Sequence, residues 1–300
     1  MRIDRAGHVN QQSKSFLVLF FKKELLSFWP LPETAGLLPY DFIHEHDFGM
    51  TRFALLIEYD GRDFVGWQRQ ADGISVQAVM EDAAAHLADG KVAVTVAGRT
   101  DSGVHALGQV AHLDLARDID GDKLAQALNF HMKPHRVCVV RAAVVPDGWS
   151  ARFSAVQRIY RYDILNRRAR PALADGRVWH VPHVLDLDAM AEGARLLLGR
   201  HDFTSFRASS CQAKSPVRTL DRLDVTRDGD VVAVRAEARS FLHHQVRNIV
   251  GTLKLVGEGY WAPERVAVAL AERRRGAAGP TAPPDGLFLV EVAYPNAIFG

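Results

Sequence analysis

The run Gly98-Arg99-Thr100-Asp101-Ser102-Gly103-Val104-His105 sets one carboxylate between an arginine and two glycines, just after the β-prone residues 92–96. Loops past strand ends are where a rigid scaffold presents reactive groups. Gly98 and Gly103 permit close backbone approach or positive φ on either side of the carboxylate. Arg99 supplies a fixed positive charge that favours an ionised neighbour. An Asp in this setting suits nucleophilic attack or cation binding. The plain alternative is a loop carboxylate making an Asx-turn with Gly103.

Other residues bear on that choice. Arg247 lies in Val246-Arg247-Asn248-Ile249, on an apolar helix where a guanidinium is rarely left unpaired. It pairs either with Asp101, orienting it, or with another carboxylate. In Arg158-Ile159-Tyr160-Arg161-Tyr162, strand alternation puts Arg158, Tyr160 and Tyr162 on one face. An aromatic beside arginines suits a stacked base and neutralised phosphates; the alternative is a half-buried strand with snorkelling arginines. Further cations stand at Arg62, Arg69, Arg207, Lys214, Arg218 and Arg239.

Asp101, His105 and His112 together suggest a metal-dependent phosphoesterase, but H-E-x-x-H is absent and no second carboxylate has suitable spacing. Pro134 separates His131 from His135, against a shared helical ligand face. The pairs Asp118/Asp120 and Asp186/Asp188 stand where helices begin and read as caps. There is no P-loop, no G-x-G-x-x-G after a strand and no G-x-S-x-G elbow. The expectation is chemistry without metal or organic cofactor, with an RNA-binding module carrying an inert Asp101 as the non-enzymatic alternative.

The elements that must position these residues are legible from residue 50 onward. The chain has 300 residues, 48% hydrophobic and 24% charged, with a formal net charge of +2. Such a chain can bury one large or two small cores. At near-neutral charge, nucleic-acid binding requires a local basic stripe rather than a global field. Two distant cysteines, Cys138 and Cys211, exclude a zinc ribbon or disulfide framework and fit a cytoplasmic protein. The apolar run 16–21 is far shorter than the ~20 residues needed to span a bilayer and lacks signal-peptide flanks. Residues 1–49 therefore read as a poorly ordered extension.

Periodicity predicts strands at 53–59, 92–96, 109–115 and 137–145, with helices at 75–87 and 122–130. That β-α-β-β-α-β order is the split βαβ plan of ferredoxin-like domains. The second half looks like an elaborated relative. It has strands at 159–165, 220–226, 231–236 and 287–293, and helices near 187–198, 244–257 and 263–274. The expectation is an α+β protein of two ferredoxin-like (βαββαβ-type) α/β sandwich domains, 50–150 and 151–300, with a cleft between them.

The Asp101 loop, with Gly108-Gln109-Val110, resembles the active-site loop of the TruA-type tRNA pseudouridine synthases. Glu58-Tyr59-Asp60-Gly61 with Gly66-Trp67-Gln68-Arg69-Gln70 resembles the family's opening strand and turn. Ala151-Arg152-Phe153-Ser154-Ala155, Tyr160-Arg161-Tyr162, Asp202-Phe203-Thr204-Ser205-Phe206-Arg207 and Val246-Arg247-Asn248-Ile249-Val250-Gly251 follow in the family order. The resemblance runs from Met50 to about Tyr294; Ser102 stands where many relatives carry Ala. It implies isomerisation of uridine to pseudouridine at positions 38, 39 and 40 of the tRNA anticodon stem-loop. It implies no metal or cofactor, a central basic cleft and a homodimer. By motif position, Asp101 is the nucleophile, attacking either the ribose C1′ or the uracil ring. Tyr160 packs against the target uracil, Arg247 pairs with Asp101, and Arg99 lies near the RNA where the base leaves the stack.

Overall fold

The computed structural model describes residues 49–88 and 90–299. Apart from Gly49, the expected N-terminal extension lies outside the described residues. The first half runs β1 (Thr51–Tyr59), α1 (Val76–Ala85), β2 (Thr95–Val96), β3 (His105–Leu115), α2 (Gly121–His131) and β4 (Val137–Val144). The second begins with β5 (Gln157–Leu165), β6 (Trp179–His180), α3 (Leu187–Arg195), β7 (Gly199–Asp202) and β8 (Val217–Leu220). It continues with β9 (Arg222–Asp228), β10 (Val231–Ala238), α4 (Gln245–Gly257), α5 (Glu264–Ala271) and β11 (Leu287–Ala293).

Local chemistry sets the helix starts. The side chains of Ser75, Asp120 and Asp186 each accept a backbone N–H from three residues ahead, capping α1, α2 and α3. β1 alternates Phe53, Leu55, Ile57 and Tyr59 into the core, where they join Val76, Val79 and Met80 of α1. The strand expected at 92–96 shortens to Thr95–Val96. Upstream of it, the Val94 N–H donates to the Glu81 carboxylate rather than to a ladder. The expected helix at 263–274 ends at Ala271, with Arg273 in the left-handed region just beyond it.

One nine-stranded mixed sheet runs through both halves in the order β4-β1-β3-β11-β5-β10-β9, with β2 on β3 and β6 on β5. The join is the parallel pair β3–β11, in which Phe288 faces His105 and Leu289 faces Ala106. Gly108 permits it, because a Cβ there would sit 2.4 Å from the Val290 carbonyl oxygen. A separate two-stranded sheet, β7–β8, completes the β structure of the described residues. No helix among them is long and apolar enough to cross a membrane.

Candidate active site

Asp101 stands in the turn between β2 and β3, held by the backbone around it. Trp67 N–H donates to Thr100 O at 3.1 Å and Val104 N–H to Asp101 O at 3.2 Å. Gly103, at φ +78°, closes the turn; a Cβ there would meet the Pro284 ring at 2.8 Å. Beneath the loop, the buried Tyr59 hydroxyl and Thr100 Oγ1 are 2.7 Å apart. Gln109 Nε2 donates to Gly98 O at 2.8 Å. Burial pushes the Tyr59 phenol up to about 12, against hydrogen bonds with Thr100 and Gln109 that pull it down, so this support stays uncharged.

The carboxylate itself is about one-fifth exposed and meets three side chains from the second half. Arg247 Nη1 donates to Asp101 Oδ2 at 3.3 Å, and its Nε donates to Ala282 O at 2.8 Å. The guanidinium is thus fixed at both ends. Helix α4 carries Arg247 and is itself anchored by Asn248, whose Nδ2 donates to Phe206 O and whose Oδ1 accepts from Arg275 and Thr281. Of the two partners left open by sequence, Arg247 takes Asp101.

The other two contacts were not singled out from sequence. His243 Nε2 lies 3.3 Å from Asp101 Oδ1, and His244 Nε2 lies 3.5 Å from Oδ2. His244 precedes α4 with φ at +61°, an uncommon conformation for a residue with a side chain. Burial lowers its pKa, Asp101 opposes that shift, and His243, Arg247 and Arg275 reinforce it. The histidine doublet directly ahead of the arginine helix was the available signal. Its approach to Asp101 depends on a backbone turn that periodicity does not encode.

Tyr160 is buried on β5, with its ring edge-on to Phe241 at a centroid separation of 5.2 Å. Burial drives its phenol pKa upward, and the nearby Tyr59 and Asp101 add to the rise, so it too is a neutral group beside the carboxylate. Arg99 is exposed and enters no ion pair among the described residues.

Arg158 does not serve phosphates. It is buried and donates to the carbonyls of Ala97, Arg152, Ala155 and Arg239 at 2.7–3.3 Å. Its role is to draw three separate segments together, at Ala97, at Arg152 with Ala155, and at Arg239. Arg161, on the opposite face, pairs with Asp163. Among the other cations, Arg62 pairs with Asp60 and Arg69 with Glu81 and Asp82.

The trio Asp101, His105 and His112 is not assembled. His105 Nδ1 accepts from the Gly61 N–H, its Nε2 lies 3.1 Å from Gly176 O, and its ring stacks on Phe288. His112 Nδ1 accepts from the Ala151 N–H. Among the described residues, Asp101, His243 and His244 are the group of three such side chains whose donor atoms lie within 4.8 Å of one another.

The sequence profile of the tRNA pseudouridine synthases matches residues 55–154 and 194–295. The tRNA pseudouridine synthase A of Acidiphilium cryptum (strain JF-5) is 68% identical over 247 residues, covering 82% of this chain and 97% of the relative. That of Paramagnetospirillum magneticum (strain ATCC 700264 / AMB-1) is 59% identical over 245 residues, covering 82% and 96%. That of Gluconobacter oxydans (strain 621H) is 52% identical over 254 residues, covering 84% and 92%. With its Asp101 loop and its arginine helix both inside the matched segments, this chain belongs to the tRNA pseudouridine synthase family.

Proposed function

We propose that this protein isomerises uridine to pseudouridine at positions 38, 39 and 40 of the tRNA anticodon stem-loop, with Asp101 as nucleophile and no cofactor. The observation that carries the reading is the pairing of the loop carboxylate Asp101 with Arg247, brought from the other half of the chain. The reaction breaks the N1–C1′ glycosidic bond and forms a C5–C1′ bond; the proton lost from C5 is balanced by one gained at N1. A carboxylate can open this sequence if it is held in the right orientation, and Arg247 holds it. Tyr160 offers an uncharged aromatic surface for the uracil while it turns.

A stem nucleotide must leave the stack before it can reach Asp101, at a cost of a few kcal/mol. Arg99 is assigned to that exit, and Arg152 and Arg239 to phosphates beside it. Such binding weakens as salt rises. The exposed Phe153, with the Arg152 guanidinium 5.3 Å from its ring centre, extends this surface.

The reading includes two ferredoxin-like lobes, residues 50–150 and 151–300, around this basic cleft. The strand orders β4-β1-β3-β2 and β11-β5-β10-β9 support it, since each lists its own fourth, first, third and second core strands. The reading also includes a homodimer, which rests on the family resemblance alone. A tRNA substrate and two free cysteines support a cytoplasmic location. Residues 1–49 are proposed to be dispensable, because 245 residues of this chain span all of the Rhodospirillum centenum relative.

The test is to incubate purified protein with unmodified tRNA carrying uridines at 38–40, in EDTA, and map pseudouridine by carbodiimide-blocked primer extension. Modification by wild type and none by Asp101→Asn is the expected result. Full activity in Asp101→Asn removes the nucleophile assignment.

A further inference from the structure

The cluster around Asp101 holds more than the proposed reaction needs. Two imidazoles from consecutive residues, His243 and His244, place their Nε2 atoms 3.3 and 3.5 Å from the two carboxylate oxygens. Neither contact is a hydrogen bond of good geometry, whereas Arg247 does donate one, to Oδ2. The three donor atoms lie within 4.8 Å of one another.

We propose that Asp101, His243 and His244 form a binding site for a zinc-like divalent transition ion, and that its occupation reversibly silences the enzyme by capping the nucleophile. The inhibitory half rests on the function proposed above; the binding half does not.

The donor chemistry selects the class of ion. Two imidazoles and one carboxylate suit zinc and its neighbours, whereas magnesium and calcium require oxygen ligands. Zinc sites with three protein ligands of this kind keep a fourth position open to water. A tetrahedral zinc with bonds of about 2.0–2.1 Å has ligand atoms about 3.3–3.4 Å apart along each edge. His243 Nε2 already stands at that edge from Oδ1, whereas His244 Nε2 stands near it from the other oxygen, Oδ2. Bringing His244 from Oδ2 to the same oxygen requires a rotation of its side chain, which is 29% exposed.

Arg247 sets the character of the site. Its guanidinium holds Oδ2, which leaves Oδ1 for the ion, and the nearby positive charge opposes a second cation. The outcome is a weak, reversible site rather than a permanent structural metal. A bound ion takes the lone pair of Oδ1 and stands between the carboxylate and an incoming uridine. Zinc and tRNA therefore compete.

The experiment uses full-length protein freed of metal with EDTA and dialysed. Zinc binding is measured without RNA, by calorimetry and by competition with a chromogenic chelator. Pseudouridine formation is then followed against added zinc in excess magnesium. One zinc per chain is expected, with affinity falling about tenfold or more in His243→Ala and in Asp101→Asn. His86→Ala is the control; it breaks the stacked His86–His131 pair, a close imidazole pair outside this site, and should bind zinc as wild type does. Wild-type activity should fall as zinc is added, return with EDTA, and be protected by excess tRNA. Zinc binding unchanged in both His243→Ala and Asp101→Asn overturns the site, even if pseudouridine formation proceeds normally. Zinc bound through these residues with turnover undiminished at saturation overturns the inhibitory role, and with it the assignment of Asp101 as nucleophile.

Discussion

Arg247 Nη1 stands 3.3 Å from Asp101 Oδ2 although 146 positions separate the two residues. The contact joins the loop before β3 to the first turn of α4, and a second hydrogen bond, Nε to Ala282 O, aims the guanidinium. Both ends are needed to hold the carboxylate in one orientation.

Arg247→Lys keeps the charge but cannot form both hydrogen bonds, since lysine lacks the planar fork. Losing a charge-assisted hydrogen bond worth about 1.5–3 kcal/mol should slow single-turnover pseudouridine formation roughly ten- to a hundredfold. Filter binding should show tRNA affinity little changed. A lysine variant as fast as wild type would show that the fork geometry is unimportant.

Tyr160 meets Phe241 edge-on, so its ring is a packed surface rather than a mobile one. Tyr160→Leu should bind tRNA normally and lose turnover, because an aliphatic side chain offers no flat face to the uracil. Single-turnover rates on saturating tRNA check this; unchanged rates would remove Tyr160 from the site.

Arg158 is buried with four backbone carbonyls as its partners. Arg158→Met fills much of the same space but strands those acceptors. Each buried unsatisfied group costs about 1–3 kcal/mol, so a loss of about 3 kcal/mol or more is expected in urea unfolding. Activity should fall further than stability alone explains, because Ala97 leads directly into the Asp101 loop.

Asp60 provides the pH dependence. Burial alone would raise its pKa, but hydrogen bonds from Arg62 and Arg177 outweigh it and hold the carboxyl well below the usual range. The unfolded value is near 3.9, so folding favours the ionised form. This contribution is complete above about pH 5 and is lost as pH falls through the unfolded value toward the folded one. Urea midpoints from pH 7 to pH 3 should therefore decline, and Asp60→Asn should be less stable at pH 7 with a shallower decline. A parallel decline in both proteins would show that other carboxylates carry the effect.

The order of strands and helices was readable from periodicity, and the capping residues Ser75, Asp120 and Asp186 mark helix starts where structure places them. These are local properties, set by side-chain spacing along a few turns of chain. Short strands such as β6, β7 and β8 escaped because two to four residues carry too little pattern to register. The motif that singled out Asp101 likewise lies within eight consecutive residues, and Arg247 was conspicuous as a cation on an apolar helix.

Which groups meet Asp101 was decided only in three dimensions. His243 and His244 reach it through a left-handed turn ahead of α4, and Arg158 became a strut because the carbonyls of Ala97 and Arg239, 61 and 81 positions away, converge on it. The continuous sheet depends on Gly108 letting β11 approach β3. The sequence by itself determined the reactive loop and the elements that carry its partners, since propensity and periodicity act between near neighbours. Tertiary structure alone determined the contacts, because they join residues far apart in the chain whose meeting depends on how the whole core packs.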